Sequence, residues 1–324
     1  MENFQGKRIL ITGAAGFIGS NLSDKLLELN AEVVGLDNFY NGKRENLEEA
    51  SKSRNFTLYR GDIRDLNFLL DIMKDIDIVY HLAAFTSVPQ SVQMPNLCND
   101  VNVNGTLNIL NAALKRDVQK VIFDTSSAVF GDLPGLPKKE DSRKNPISPY
   151  AVTKLAGECY MEVYHHVYGL DTTSIRYFNV FGPRQRDSPY SGVIAIWLGR
   201  IVQDQDLTIF GDGKQSRDFT YVKDVVKANI LAALKKTPGE TFNAGAGNPI
   251  LLNDLASLML KLTGKTHLKI THAEPRPGDI LHSYADISKA KNVLNFEPEY
   301  DQEKGLRDYI TWYKDEYKVE LTIK

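Results

Sequence analysis

The sequence predicts an α/β fold: a doubly wound parallel sheet joined to a smaller, interleaved α+β lobe. Three observations predict it. Short apolar runs alternate with longer amphipathic stretches through the first half of the chain. A glycine-rich turn follows the first of those runs, and the alternation gives way after about residue 180 to loops rich in Gly, Pro and polar residues. Ile- and Val-rich strands that alternate with helices make βαβ units, which need a parallel sheet covered on both faces.

The elements follow in order. Strand patterns are "RILIT" (8–12), "EVVGLD" (32–37), "FTLYRGD" (56–62), "DIVYHLA" (77–83), "KVIFDTS" (120–126) and "TTSIRYFN" (172–179). Helical periodicity fills 17–29, 65–74, 96–116 and 149–168 between them. Beyond the loop-like "FGPRQRDSPYSG" and "FGDGKQSRDF", helical patterns return near 193–203, 222–235, 252–263 and 303–316. No repeat and no low-complexity linker separates the halves. The second lobe is therefore expected to pack against the sheet and interleave with it.

In "ILITGAAGFIGSNL", Gly13, Gly16 and Gly19 stand between a strand and a helix. A tight turn needs Gly13, a pyrophosphate approaches closely only where Cβ is missing, and the helix N-terminus offers free N–H groups. The expected fold is thus of the Rossmann type. Asp37 ends the second strand pattern, 18 positions after Gly19. A carboxylate there accepts hydrogen bonds from a ribose and repels a 2′-phosphate, which favours NAD over NADP. The alternative is that Asp37 caps the next turn. Asp62, in "RGDI", is a second cofactor candidate, though aspartates after strands also serve as turn residues. Residues 1–180 are expected to form the NAD-binding domain, with 219–245 returning to it. Residues 181–218 and 246–324 are expected to form the other lobe.

Composition limits the functional classes. With 39 Lys+Arg against 41 Asp+Glu, the charges are balanced and interspersed, so no basic face points to nucleic acid. Two cysteines, Cys98 and Cys159, are too few for a disulfide framework or a zinc site. No apolar run reaches the roughly 18 residues a membrane helix needs, and no signal-peptide pattern is seen. A cytoplasmic protein with no metal is expected. His165 and His166 are adjacent and point to different faces, and His81 at a strand end reads as structural.

"SPYAVTK" carries the chemistry. Ser148 suits an N-cap and Pro149 the first helical position, so Tyr150 and Lys154 fall at i and i+4 on one face. A free tyrosine with a pKa of about 10 is a poor base at neutral pH. A neighbouring ammonium, an oxidised nicotinamide and the helix N-terminus all favour its phenolate. "DTSSAVFG" ends what reads as the fifth strand, where ligands sit in such folds, so Ser126 is placed to share a proton with Tyr150.

Six segments, "TGAAGFIGSNL", "DTSSAVFGD", "SPYAVTK", "RYFNVFGPRQ", "GDGKQSRDFTYVKDV" and "RPGDILHSYADISKA", occur in this order across nearly the whole chain. They resemble the extended short-chain dehydrogenase/reductase family, and within it the UDP-hexose 4-epimerases that act on UDP-glucose or UDP-N-acetylglucosamine. The resemblance implies Ser126, Tyr150 and Lys154 as the catalytic group. It implies that NAD lies against Gly13, Gly16, Phe17, Ile18 and Gly19, then against Asp37, Asn38, Asp62 and Ile63. Leu82, Ala83, Ala84 and Tyr177 would complete that site with Tyr150 and Lys154. The UDP-sugar would meet Ser87, Ser126, Ser127, Asn179 and Val193 on one side and Arg217, Arg276, Asp279 and Ser283 on the other. The implied reaction is 4-epimerisation through a transient 4-keto sugar, on UDP-GlcNAc/UDP-GalNAc as well as UDP-Glc/UDP-Gal.

Particular residues narrow the implied reaction. Related dehydratases and decarboxylases carry acids just after the Ser126 position, where this chain has Ser127 and Ala128. Asn179 stands where glucuronate epimerases tend to have threonine. Arg184 and Arg186 keep a uronate open, because either could pair with a carboxylate. Ser283 stands where epimerases restricted to non-acetylated sugars carry a large aromatic, and so leaves room for a 2-acetamido group. Ser87 could equally cap a helix. The alternatives are a dehydratase, decarboxylase or uronate 4-epimerase of the same family, or a catalytically silent NAD-binding protein. Family members usually dimerise through the helices near 96–116 and 149–168, so a homodimer is implied.

Overall fold

The computed structural model describes residues 3–185, 192–275, 280–321 and 323. Its centre is a seven-stranded sheet. The strands are β1 (Arg8–Thr12), β2 (Glu32–Asp37), β3 (Phe56–Arg60), β4 (Ile78–His81), β5 (Lys120–Ser126), β6 (Asp171–Tyr177) and a seventh, Glu240–Ala244. All neighbours pair in parallel, and the spatial order is seventh–β6–β5–β4–β1–β2–β3. The order reverses beside β1, so a crevice opens there at the carboxyl ends of the strands. The inner strands β1 and β4 read as nearly continuous apolar runs because both faces are covered.

Ten α-helices are described: α1 (Phe17–Glu28), α2 (Leu66–Ile72), α3 (Val88–Gln93), α4 (Pro95–Asn99), α5 (Gly105–Lys115), α6 (Pro149–Tyr168), α7 (Val193–Val202), α8 (Val222–Leu234), α9 (Leu252–Leu262) and α10 (Gln302–Tyr317). One apolar core layer joins Ile9, Ile11 and Tyr80 of the sheet to Leu22 of α1 and Val225 of α8. The opposite layer joins Val79, Val121 and Phe123 to Ile109 of α5 and Met161 of α6. A third core, around Trp197, Leu255 and Tyr309, belongs to the second lobe.

The helix expected over 96–116 is present from Pro95 to Lys115 and widens in its middle. A π-helical turn, Asp100–Asn104, links α4 to α5. Tertiary contacts accompany it. The buried Asn102 amide accepts from Phe85 N at 2.6 Å and donates to Phe85 O at 3.1 Å and Thr153 Oγ1 at 2.9 Å. An extra residue in the turn aims this side chain across to α6, and such bulges recur at functional sites.

Candidate active site

The glycine turn comes first along the chain. Gly13 has φ +71°, and a Cβ there would stand 2.9 Å from Ala83 N. A Cβ on Gly19 would lie 2.2 Å from the Gly13 carbonyl oxygen. Only glycines let α1 start this close to β1. The result is one side of a cleft of about 1170 Å³. Gly13, Gly16, Phe17, Ile18 and Gly19 line it, as do Asp37, Asn38, Asp62 and Ile63. Leu82, Ala83, Ala84, Ser87 and Asp124 line it as well.

Asp37 caps the turn and also lines the cleft. Its Oδ2 accepts from Ala15 N at 2.9 Å and its Oδ1 from Phe39 N at 2.7 Å, so it does cap the turn. Its remaining lone pairs border the cleft. Burial pushes its carboxyl up, against the two N–H bonds that favour the ionised form. Asp62 behaves oppositely. Hydrogen bonds from Arg64 hold its carboxyl down at about 2, so it is ionised at any working pH. Asn38 Nδ2 also donates to Asp62, at 3.1 Å, which joins the two strand ends.

His81 lies under the cleft wall. Thr106 Oγ1 donates to Asn102 O at 2.6 Å, so it must accept from His81 Nε2, 2.9 Å away. Nδ1 is then the acceptor from Thr12 Oγ1 at 2.8 Å, and Thr12 in turn accepts from Ala83 N at 3.1 Å. Burial, and secondarily the Lys154 charge, lower the imidazole to about 3, so it is neutral and structural.

Helix α6 positions the catalytic candidates. Ser148 accepts from Ala151 N at 3.2 Å as N-cap, and Pro149 opens the helix. The Ser91 hydroxyl accepts from Tyr150 N at 3.2 Å. The Ser126 hydroxyl accepts from Ala128 N at 3.2 Å and lies near enough to the Tyr150 phenol to favour its ionised form. Lys154 is 2% exposed. Its Nζ donates to the Asp124 main-chain carbonyl at 2.7 Å, stands 3.8 Å from Asp124 Oδ2 and lies 5.0 Å from the centre of the Phe123 ring.

The electrostatics correct one expectation. Burial, and then the Asp124 carboxylate, raise the Tyr150 phenol above the ordinary range, while Ser126 opposes them. Burial also lowers the Lys154 ammonium, which Asp124 supports. Asp124 was not foreseen as a site residue. The signal was a lone acid inside the apolar run "KVIFDTS".

The remaining candidates take the following places. Tyr177 does not reach the cleft with its hydroxyl, which accepts from Asn229 Nδ2 of α8 at 2.6 Å inside the core. Its position on β6 aims the ring at the α8 face. Ser127 opens a 3₁₀ turn beyond β5, and Ser87 caps α3 by accepting from Gln90 N at 3.4 Å. Asn179 is exposed and donates to Asp218 O at 3.0 Å, and Val193 begins α7. Arg217 and Ser283 are register partners on two short parallel strands of the second lobe. Arg184 lines the cleft and pairs with Asp24 of α1 at 2.6 Å. Arg186, Arg276 and Asp279 lie outside the described residues.

A model of the NAD dependent epimerase/dehydratase family matches residues 9–245. The chain belongs to this family. Its members include the extended short-chain dehydrogenases/reductases that the motifs resemble. A UDP-glucose 4-epimerase of Mycolicibacterium smegmatis is 38% identical, over 95% of this chain and 99% of its own. A UDP-glucuronate 4-epimerase of Thermodesulfobacterium geofontis is also 38% identical, over 97% of this chain and 98% of its own. Among solved structures, a UDP-N-acetylglucosamine 4-epimerase from Methanobrevibacter ruminantium, in complex with UDP-N-acetylmuramic acid, superposes with a TM-score of 0.92. It is 39% identical, and the match covers 96% of this chain and 99% of that one.

NAD is the cofactor of this family enzyme, and its residues fit it. The glycine turn leaves bare backbone where the pyrophosphate must approach. The Asp37 carboxylate borders the cleft where an adenosine ribose needs acceptors. Among the described residues, no helix is long and apolar enough to cross a membrane.

Proposed function

We propose that the protein interconverts the 4-epimers of UDP-hexoses, both UDP-GlcNAc/UDP-GalNAc and UDP-Glc/UDP-Gal. The observation that carries this is the gathering of Tyr150, Ser126 and the Lys154 ammonium around Asp124, which lines the cleft. Bound NAD supplies a hydride acceptor that later returns the hydride, so no net oxidation occurs. Tyr150 takes the proton of the sugar 4-hydroxyl, and Ser126 holds the 4-oxygen through the proton transfer. Lys154 contributes positive charge that favours the phenolate. Arg217, with Arg276, provides charge for the diphosphate, Asp279 accepts from the uridine ribose, and Asn179 bonds the diphosphate.

Epimerisation is favoured over dehydration or decarboxylation because Ser127 and Ala128 supply no carboxylic acid next to Ser126. A serine at 283 leaves space for an acetamido group.

The experiment is incubation of the purified protein with UDP-GlcNAc, UDP-Glc and UDP-glucuronate in separate vessels, without added cofactor, followed by sugar analysis. GalNAc and galactose products support the proposal. A keto-deoxy sugar, a pentose, or turnover of the uronate alone overturns it. We further propose a homodimer through α6. Val152, Val163 and Val167 recur on one face of that helix and are 52%, 45% and 65% exposed. Sedimentation at the monomer mass would refute it.

A further inference from the structure

We propose that Asp124 is a positioning residue for the tyrosine base: its carboxylate faces the Lys154 ammonium across 3.8 Å and, when ionised, offsets that ammonium's pull on the Tyr150 proton. The inference rests on the reading of Tyr150 as the base, and the geometry behind it stands on its own.

Strand alternation puts Asp124 and Ser126 on one face of β5, while Phe123 and Thr125 face the other way. Asp124 lines the cleft, and its side chain is only 14% exposed. Lys154 is anchored by its bond to the Asp124 main-chain carbonyl, so the ammonium and the carboxylate cannot drift apart. At low exposure the two charges act strongly on each other and on any third group nearby. A paired ammonium presents Tyr150 with a dipole. A lone ammonium would present it with a full positive charge.

The charged and titratable neighbours have definite places. Lys154 and Tyr150 face Asp124 from α6, and the Tyr177 phenol faces it from β6. Lys154 itself also feels Cys98 of α4 and Glu158 of α6, and it acts in turn on His81 of β4. Among these, Lys154 is the group that acts on the Asp124 carboxyl, which burial raises to about 6. Below that pH the carboxyl is neutral and the Lys154 charge is uncompensated. Above it, the carboxylate both supports the ammonium and opposes the phenolate. The acidity of Tyr150 therefore depends on the ionisation of a second group in the cleft.

The test needs no sugar. NAD-loaded protein carrying tyrosine labelled with ¹³C at Cζ is titrated by NMR, and the Tyr150 resonance is assigned by its loss in Tyr150→Phe. In Asp124→Asn, the Tyr150 midpoint should fall by about one pH unit or more. Asp124→Ser should do the same and serves if the asparagine variant fails to fold. An unchanged midpoint means that Asp124 is only structural and overturns the proposal. A raised midpoint overturns it too, because the carboxylate would then act only by keeping Lys154 protonated. Absence of 4-epimerase turnover in the wild type would refute the proposed reaction and leave this titration readable.

Discussion

Glu158 and Arg176 meet inside the molecule in a two-bond ion pair: Nε to Oε1 at 2.8 Å and Nη2 to Oε2 at 2.6 Å, with side chains 6% and 3% exposed. Thr125 Oγ1 adds a third bond to the same carboxylate at 2.8 Å. The pair ties α6 to β5 and β6 one turn beyond Lys154, and so sets where the Tyr150 end of the helix stands. Removing one partner leaves a buried uncompensated charge. Glu158→Ala is expected to cost about 3–5 kcal/mol in urea denaturation. The exposed pair Arg307–Glu303 gives the contrast, since Glu303→Ala should cost less than about 1 kcal/mol. Equal losses would mean that the buried pair does not clamp the helix.

His81 makes the fold acid-sensitive. Its folded pKa, about 3, lies below its ordinary value of 6.5. Between those values the unfolded chain binds a proton that the folded chain refuses, so stability rises with pH there and is lost as pH falls from about 6.5 toward 3. By pH 5 the loss from this one group is about 2 kcal/mol. Denaturation midpoints between pH 7 and 5 should show this slope, and His81→Gln should flatten it. An unchanged slope in the variant would assign the acid lability to other groups.

What was legible in the sequence is what short-range chemistry dictates. Gly13, Gly16 and Gly19 announce the turn because only a missing Cβ allows the approach of α1 to β1. Tyr150 and Lys154 share a face because helix periodicity puts them there. What was hidden depends on contacts made across the chain. The π-helical turn at Asp100–Asn104 comes with Asn102 reaching Phe85 and Thr153, 17 and 51 positions away. The orientation of Tyr177 is decided by Asn229, 52 residues on. The raised Tyr150 phenol depends on burial and on Asp124, neither of which helical spacing reports.

Gly19→Ala tests the turn. Its Cβ would press on a main-chain oxygen, and backbone cannot swing aside as a flexible side chain can. Either α1 shifts or the turn deforms, at a cost of about 1–3 kcal/mol. The cleft loses its shape at the pyrophosphate, and the NAD content of the purified protein should fall more than about tenfold, a loss of about 1.4 kcal/mol of binding. Chromatography of released nucleotide measures it. Full NAD content in a stably folded variant would place the pyrophosphate elsewhere.

Tyr150→Phe removes one oxygen and keeps the ring. The lost hydroxyl stands near Ser126. The packing of α6 is untouched, so melting temperature and NAD content should hold. If the phenol moves the proton, epimerase turnover falls by at least about 100-fold. A variant that keeps most of its activity would hand the base to another group, and Asp124, which lines the cleft, would be the next to test.

The sugar preference can be tested at Ser283. It is half-buried and sits opposite Arg217 in the short parallel pairing of the second lobe. Arg217 Nη1 donates to Ser216 O at 2.9 Å and to Leu281 O at 3.2 Å, so the guanidinium and the backbone around 283 are held together. A bulky side chain at 283 therefore cannot be absorbed by a drifting strand and must project into neighbouring space. If that space receives the sugar C2 substituent, Ser283→Tyr should exclude the acetamido group and spare a hydroxyl. The kcat/KM for UDP-GlcNAc should then fall about 10- to 100-fold relative to that for UDP-Glc. An equal loss on both sugars would mean that residue 283 shapes the lobe without selecting the substrate, and the acetamido specificity would need another source.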